Sequence, residues 1–123
     1  MAKVPHKTDL SERLLEFSAR VIKLIQEMPS GRPAGKIADQ LVRSAMSTGA
    51  NYEEARGADS RPDFCHKLQI SLKEMREARY WLCLIAKSRL LNPNRLESVI
   101  DEATQLRAIL AKSVATARGK AKP

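Results

Sequence analysis

The side chains best suited to hold a metal ion are two cysteines and two histidines. Cys65 and His66 are adjacent, Cys83 follows Cys65 by 18 positions, and His6 lies near the start of the chain. Neighbouring helical residues point about 100° apart, so Cys65 and His66 cannot readily share one ion. On one helix the two cysteines would be about 27 Å apart, beyond the reach of a disulfide. We therefore expect reduced thiols, no metal site and no other cofactor.

Hydroxyl and carboxylate side chains occur together in the middle of the chain. Ser44, Ser47 and Thr48 are not surrounded by a G-x-S-x-G elbow, the turn that activates a catalytic serine. Glu53 and Glu54 are sequence neighbours that diverge around a helix, so they do not form the paired carboxylates of acid–base catalysis. The chain also lacks a glycine-rich loop that could cradle phosphate. We therefore predict that the protein is not an enzyme.

The basic residues of the chain could bind phosphate. The formal net charge is +8, and residues 1–8 and 107–123 carry seven basic residues and no acid. The residues between these segments are therefore nearly neutral. Basic segments attract the phosphate backbone of RNA or DNA through counterion release, although they also favour solubility. We predict nucleic-acid contacts at the basic residues of the C-terminal segment: Arg107, Lys112, Arg118, Lys120 and Lys122.

The length and composition indicate one helical domain that positions these side chains. A chain of 123 residues can bury a substantial core, and it is poor in glycine and aromatic residues. No apolar run approaches the roughly 20 residues that a membrane-spanning helix needs, and no secretory signal follows the basic start. We expect a cytoplasmic protein that does not contact a membrane.

Periodic apolar residues separated by short breaks predict four helices. We assign residues 1–8 to a flexible segment, residues 9–115 to the helices and residues 116–123 to a basic tail. No segment shows the alternation typical of a strand. Short breaks favour antiparallel neighbours, so the prediction is an all-α, antiparallel up-down-up-down four-helix bundle.

The ends of the helices have recognisable signals. Asp9, followed by a glutamate three residues later, indicates the N-cap of the first helix. The second helix begins near Pro33 and ends near Gly57, which suits the position after a helix. Ser60 and Asn92 are the predicted N-caps of the third and fourth helices, and a proline follows each closely.

The predicted second helix has an apolar stripe of small side chains. The stripe recurs every three or four positions and consists of Ile37, Leu41, Ala45, Thr48, Tyr52 and Ala55. Small side chains allow the backbone of a neighbouring helix to approach closely. We therefore predict that this helix is pressed between others as a central element of the bundle.

Several large apolar residues lie off the predicted core lines, namely Leu15, Ile22, Leu72, Trp81 and Leu84. Exposed together, such residues form patches that usually mark interaction surfaces. We predict self-association and assign the interface to Ile22, Leu72, Trp81 and Leu84. The alternative is that these residues fill the corners of the core of one chain.

Two arginines near aromatic residues have two interpretations. Arg76 and Arg79 lie close to Trp81, a combination that can stack on bases and bind phosphate. Glu74 and Glu77 are close enough to neutralise both arginines. We favour the second interpretation, in which Trp81 is packed and the arginines form ion pairs at the surface.

The run from Asp39 to Ile85 resembles the small bacterial four-helix-bundle proteins encoded within intervening sequences of 23S ribosomal RNA genes. The matching residues are Gln40-Leu41-x-Arg43-Ser44, Ser47-x-x-x-Asn51-Tyr52-x-Glu54-Ala55, Asp63-Phe64 and Lys73-Glu74-x-x-Glu77-Ala78-x-Tyr80-Trp81-Leu82. The resemblance extends over nearly the whole chain apart from the tails. It implies a four-helix bundle that assembles as a homopentamer, in a family whose biochemical role is not established.

The chain is also similar to the accessory protein of diversity-generating retroelements, a pentameric bundle that works with a reverse transcriptase and nucleic acid. The partners implied by these resemblances are further copies of the chain, RNA or DNA, and a reverse transcriptase-like protein. We therefore expect a non-enzymatic homo-oligomeric scaffold that contacts nucleic acid. The alternative is an adaptor that docks a partner helix on its apolar patch.

Overall fold

The computed structural model describes residues 6–119, with the side chains of residues 10–119. Within residues 6–119 the chain contains only helices and their connections, namely α1 (His6–Ile25), α2 (Ala34–Arg56), α3 (Arg61–Lys87) and α4 (Pro93–Gly119). Successive helices are antiparallel, and α1 also contacts α4, which closes the bundle. The predicted all-α, antiparallel up-down-up-down four-helix bundle is confirmed.

Four predicted helix boundaries agree with the structure. α2 begins directly after Pro33 and ends directly before Gly57. At the start of α3, the backbone N–H of Asp63 donates to Ser60 Oγ at 3.2 Å. The side chain of Asn92 likewise accepts from the backbone of α4 at 3.0 Å. Each cap satisfies a helix N–H that has no partner within its own helix.

The two outermost boundaries were predicted too far inward. α1 begins at His6, so Asp9 lies within the helix and is not its N-cap. A capping preference contributes only about 1 kcal/mol, and residues 6–8 contain no glycine or proline that would stop the helix from starting earlier. α4 continues past Ala115 to Gly119, because the small side chain of Ala117 is buried against its neighbours.

The core lies along the apolar lines that the sequence indicates. On α1 the fully buried residues are Leu14, Phe17, Val21 and Leu24. The corresponding residues of α3 and α4 are Leu68, Ser71, Met75, Ala78, Leu82, Ile85, Leu96, Val99, Ala103, Leu106 and Leu110. Burying each leucine or phenylalanine contributes about 1.5–3 kcal/mol, so these lines hold the helices together.

The backbone of α2 is approached closely from two sides. Ser71 of α3 donates its hydroxyl hydrogen to the carbonyl of Thr48 at 2.7 Å, and Ser18 of α1 donates to the carbonyl of Ala45 at 3.0 Å. A serine hydroxyl reaches a neighbouring backbone only when the facing side chains are small. α2 is thus pressed between two helices, as predicted. The prediction that it is a central element of the bundle was wrong, because α2 lies at one corner, diagonally opposite α4.

Candidate interaction surfaces

An apolar groove follows the outer side of α1 and α2. This α1/α2 groove has a volume of about 630 Å³ and is lined by Ser11, Glu12, Leu15, Ser18, Ala19, Ile22, Met46, Gly49, Ala50 and Glu53. Leu15 is 66% exposed, Met46 is 49% exposed and Ile22 is 41% exposed. Three large apolar side chains in one groove form the kind of contiguous patch that marks interaction surfaces.

The groove arises because α1 carries leucine and isoleucine on two of its faces. Leu14 is fully buried, whereas Leu15 points about 100° away from it and lies outside the core. Ile22 follows Leu15 by seven positions, about two turns, so both lie on the same line of the helix. On α2, a Cβ added to Gly49 would lie 3.6 Å from the Cβ of Leu14, so the two helices are close at the base of the groove.

The two serines in the groove already have partners within the chain. The hydroxyl of Ser18 donates to the carbonyl of Ala45, and Ser11 Oγ accepts from Arg56 at 2.7 Å. Arg56 also lies 3.5 Å from Glu53, which is exposed at the rim. Because these polar groups are engaged, the surface that the groove offers to a partner is mainly apolar.

The four residues predicted to form the interface lie in three different environments. Ile22 lines the α1/α2 groove. Leu72 is buried in the core of the single chain, so its assignment to an exposed flank was wrong; the apolar stripe of α3 is wide enough to include it. Trp81 and Leu84 are half-buried on α3, outside the groove. Contacts of Ile22, Trp81 and Leu84 with another copy stay a prediction.

The two most exposed large apolar residues of the groove were not among the residues predicted to form an interface. Leu15 was recognised as lying off the core lines, and its spacing of seven from Ile22 was the signal that both share a face. Met46 directly follows the buried Ala45, so it must point away from the small-residue stripe of α2. A large apolar side chain in that position indicates an uncovered surface.

Polar contacts close the edge between α2 and α3. Arg43 Nη2 lies 2.8 Å from Glu77 Oε2 and 3.2 Å from Glu74 Oε1. The second contact is an ion pair without hydrogen-bond geometry, since the buried Glu74 Oε1 accepts no hydrogen bond from the described residues. Trp81 Nε1 donates to Glu77 Oε2 at 3.0 Å. The hydrogen bond from Trp81, followed by the contact with Arg43, lowers the pKa of Glu77.

The two carboxylates therefore do not neutralise the arginines that sequence reasoning paired with them. Glu74 and Glu77 face Arg43 on α2 instead. Arg79 Nε donates to Thr104 Oγ1 of α4 at 2.8 Å. Arg76 is exposed and forms no hydrogen bond or ion pair with residues 10–119. The prediction of ion pairs for the two arginines was wrong, because partners on neighbouring helices are better placed.

Other residues that carry the family resemblance also have partners within the bundle. Asn51 Nδ2 donates to the carbonyl of Ser47 at 2.9 Å. Lys67 Nζ lies 2.9 Å from Glu54 Oε1, and this contact raises the pKa of Lys67. Asn51 therefore supports α2, and Glu54 links α2 to α3. The sequence left open whether these residues act in function or in structure, and the contacts give both a structural role.

Two of the predicted nucleic-acid residues, Lys112 and Arg118, lie toward one end of the bundle, whereas Arg107 lies near the middle of α4. α1 begins and α4 ends at that end of the bundle, because the four helices alternate in direction. Lys112 and Arg118 are exposed on α4, and Arg107 is half-buried. Lys120 and Lys122 lie outside the described residues. The first and last residues that the structure describes therefore lie at the same end of the bundle.

A second pocket lies at this end, where α2 ends, α3 begins and α4 ends. This basic pocket has a volume of about 510 Å³ and is lined by Tyr52, Arg61, Phe64, Leu68, Ile109, Lys112, Ser113, Thr116 and Ala117. Tyr52 and Phe64 are half-buried, and burial raises the pKa of the Tyr52 hydroxyl. Arg61 and Lys112 form no hydrogen bond or ion pair with residues 10–119. Aromatic walls thus adjoin two uncompensated cations.

The described residues also bear on metal sites, disulfides and membrane-spanning helices. Among residues 10–119, no group of three His, Cys, Asp or Glu side chains could hold a metal ion. Cys65 and Cys83 are half-buried, unbonded thiols. None of the helices within the described chain is long and apolar enough to cross a membrane.

Known proteins similar to this chain share its fold. A family model described as the 23S rRNA-intervening sequence protein matches residues 6–112. One similar crystal structure is of a protein with unknown function from the S23 ribosomal protein family of Bacteroides thetaiotaomicron VPI-5482. The two chains are 32% identical with a TM-score of 0.77, over 85% of this chain and 97% of that one. Among curated proteins, none matches.

Proposed function

The chain belongs to the 23S rRNA-intervening sequence protein family, and from this premise we propose that it is a self-associating four-helix bundle that acts as a scaffold for nucleic acid. Copies meet through the α1/α2 groove, and the basic end of the bundle faces RNA or DNA. The proposal assigns the protein no chemical reaction.

The observation that carries this proposal is the exposure of Leu15, Ile22 and Met46 in one groove. A large apolar side chain contributes about 1.5–3 kcal/mol when it moves from water into a packed interior. Covering three such side chains with another copy is therefore favourable. A monomer would leave them in water, which is unusual for a contiguous patch.

Five copies is the number that the family resemblance implies. A ring of identical subunits needs a heterologous contact, in which one surface of each copy meets a different surface of the next. The α1/α2 groove supplies one such surface. The half-buried Trp81 and Leu84 on α3 lie outside the groove, so they are candidates for the complementary surface.

The nucleic-acid part of the proposal rests on charge. α1 begins and α4 ends at one end of the bundle, and Lys112 and Arg118 of the basic segment 107–123 are exposed on α4 toward that end. Several copies would bring several such ends together, and each neutralised phosphate releases counterions and adds to affinity. The resemblance to the retroelement accessory protein makes a reverse transcriptase-like protein a further proposed partner.

Light scattering of the purified chain tests self-association. We expect an oligomeric mass for the wild-type protein and a monomeric mass for the double variant Leu15→Glu/Ile22→Glu, because buried carboxylates would oppose the contact. The matched control is Ala108→Glu/Ala115→Glu, which places the same two charges seven positions apart on exposed sites of α4. It should stay oligomeric, and circular dichroism should show helical spectra for all three proteins.

Two results would overturn this part of the proposal. One is a strictly monomeric wild-type protein at every concentration. The other is a groove variant that keeps the wild-type mass while folded, which would place the contact elsewhere.

Fluorescence anisotropy with labelled RNA and DNA tests nucleic-acid binding. We expect binding at low salt that weakens as the salt concentration rises, because phosphate contacts release counterions. Absence of binding to either nucleic acid at low salt would remove this part of the proposal and leave the self-association result unaffected.

An adaptor is the second candidate function, and the shape of the groove favours it. An apolar groove between two helices suits the apolar face of an amphipathic partner helix. A wild-type monomer that retains a protein partner after nuclease treatment, and loses that partner in Leu15→Glu/Ile22→Glu, would establish this function instead.

A further inference from the structure

We propose that the basic pocket binds an unpaired nucleotide of single-stranded nucleic acid. In this arrangement the base lies against the aromatic and aliphatic wall, and the adjoining phosphates contact Arg61 and Lys112. The inference rests on the nucleic-acid part of the proposed function and names the form of nucleic acid and the residues that select it.

The charge of the pocket favours an anionic occupant. Its lining contains Arg61 and Lys112 and no carboxylate. Neither cation forms a hydrogen bond or an ion pair with any residue from 10 to 119. Two nearby acids are already engaged, since Glu54 pairs with Lys67 and Glu53 lies next to Arg56. The two cations are therefore available to a ligand.

Asp59 and Asp63 are the acids closest to Arg61 in the sequence. Neither of them lines the basic pocket. Asp59 lines an adjoining depression, which shares Arg61 and Phe64 with the basic pocket. The lining of the basic pocket itself therefore carries two cations and no carboxylate, with Asp59 in the adjoining depression.

The walls of the pocket favour a ligand that carries a flat ring beside its anionic group. Tyr52 comes from α2 and Phe64 from α3, and both are only half-buried, so part of each ring is accessible. The buried Leu68 and the half-buried Ile109 add aliphatic surface. Aromatic side chains beside cations are the usual means of binding single strands, because every base has a face that can stack.

The size and position of the pocket agree with a nucleotide. Its volume of about 510 Å³ lies within the range of small-molecule sites. A base within a duplex cannot enter, because its faces and its pairing edge are occupied inside the helix. The pocket also includes Thr116 and Ala117 in the last turn of α4, next in sequence to the exposed Arg118.

Other occupants fit the same surface less well. A partner helix would cover the apolar wall but leave Arg61 and Lys112 without counter-charges, unless it carried acids at matching positions. The terminal segments of the chain are themselves basic, so they would be repelled from the pocket.

Fluorescence anisotropy with four labelled probes tests the inference on the full-length chain: a single-stranded RNA, a single-stranded DNA, an abasic strand of the same length and a duplex. Since the abasic strand keeps the phosphates and lacks the bases, we expect it to bind about tenfold more weakly than the intact strands. Comparison of the RNA and DNA strands shows which sugar the site prefers.

Two variants test whether the preference for intact over abasic strands arises in the basic pocket. Phe64→Leu keeps an apolar side chain and removes the ring, so the ratio between intact and abasic strands should fall toward one. Lys112→Ala should lower the salt dependence of binding by about 0.7 in the slope of log K against log salt, the amount lost with one phosphate contact. The control Lys87→Ala, an exposed lysine at the opposite end of α3, should bind as the wild type.

The possible failures are distinguishable. If strands bind but Phe64→Leu and Lys112→Ala bind like the wild type, or if the abasic strand binds as tightly as the intact one, the pocket is not the site and the proposed function stands. If no probe binds at low salt, the nucleic-acid function itself fails, and this inference fails with it.

Discussion

The two sides of α2 differ in how completely a single chain covers them. On the side of α3, Ser71 bonds to the carbonyl of Thr48 and Arg43 reaches Glu77, so the edge of the contact is closed by polar pairs. On the side of α1 the backbones also approach closely, yet Met46 remains 49% exposed beside the α1/α2 groove.

The difference shows that close packing and complete coverage are set by different residues. Small side chains on the stripe of α2 allow both neighbours to approach its backbone. The residues flanking that stripe decide what remains at the surface. Charged residues flank the contact with α3, whereas Leu15 and Ile22 flank the contact with α1. The α1 side therefore carries the surface on which we propose that copies associate.

The largest expected effect compares two adjacent leucines of α1. Leu14→Ala should lower the free energy of unfolding by about 2–5 kcal/mol, because it leaves a cavity in the core. Leu15→Ala should change it by about 0.5 kcal/mol or less, because Leu15 is 66% exposed. Urea unfolding followed by circular dichroism measures both, in a background that carries Ile22→Glu to limit association. Equal losses would mean that the chain covers Leu15 as fully as Leu14.

A second expectation concerns the close approach to α2. Ala45→Leu should cost about 1–3 kcal/mol, because Ala45 is fully buried and the added methyl groups must displace α1 or α3. Ala50→Leu, on an exposed position of the same helix, should have little effect on the stability of one chain. Thermal unfolding of both variants, each combined with Ile22→Glu, measures the difference in stability between them. Tolerance of leucine at residue 45 would show that the helices are not held closely there.

The two hydroxyls that bond to the backbone of α2 allow a smaller comparison. Ser71→Ala should cost about 1 kcal/mol, because it removes a hydrogen bond from a fully buried site. Ser18→Ala should cost about 0.5 kcal/mol, because Ser18 is only partly buried and water can replace its bond. The exposed Ser30→Ala serves as the control in urea unfolding. A larger loss of stability in Ser18→Ala than in Ser71→Ala would contradict the expectation that the hydrogen bond on the α3 side contributes more.

The smallest expected effect is a dependence on pH at the edge between α2 and α3. The pKa of Glu77 is lowered by Trp81 and Arg43, so folding favours its charged form. The stability that this gives is fully present above the ordinary pKa of glutamate, about 4.3, and is lost as the pH falls through the lower pKa of the folded state. Trp81→Phe removes the main cause, so its urea midpoint should fall less than that of the wild type between about pH 6 and pH 3. Parallel curves for the two proteins would contradict this role of Trp81.

Local periodicity predicted most of the fold. The core lines of α1, α3 and α4 and the caps at Ser60 and Asn92 depend on residues close in the sequence, and the structure agrees with them. Choices between distant partners could not be made in this way. Glu77 lies four residues from Lys73 on its own helix, yet it pairs with Arg43, which is 34 positions away.

The candidate surfaces were predicted less completely for the same reason. Ile22 was identified because one helix alone shows that it lies off the core. The basic pocket combines Tyr52, Phe64 and Lys112 from three helices, and only Lys112 was assigned in advance. Which surplus residues of different helices meet depends on how the helices are rotated, which no single segment of sequence specifies.

The even number of helices has a practical consequence for anyone who labels this protein. Since α1 starts and α4 stops at the same pole, a purification tag or fluorescent reporter fused to either terminus crowds the region around Lys112. The turn between α1 and α2 lies at the far pole. A short epitope inserted beside Ser30 would lie far from the basic pocket, so it is the better handle for immobilising the bundle when nucleic-acid binding is measured.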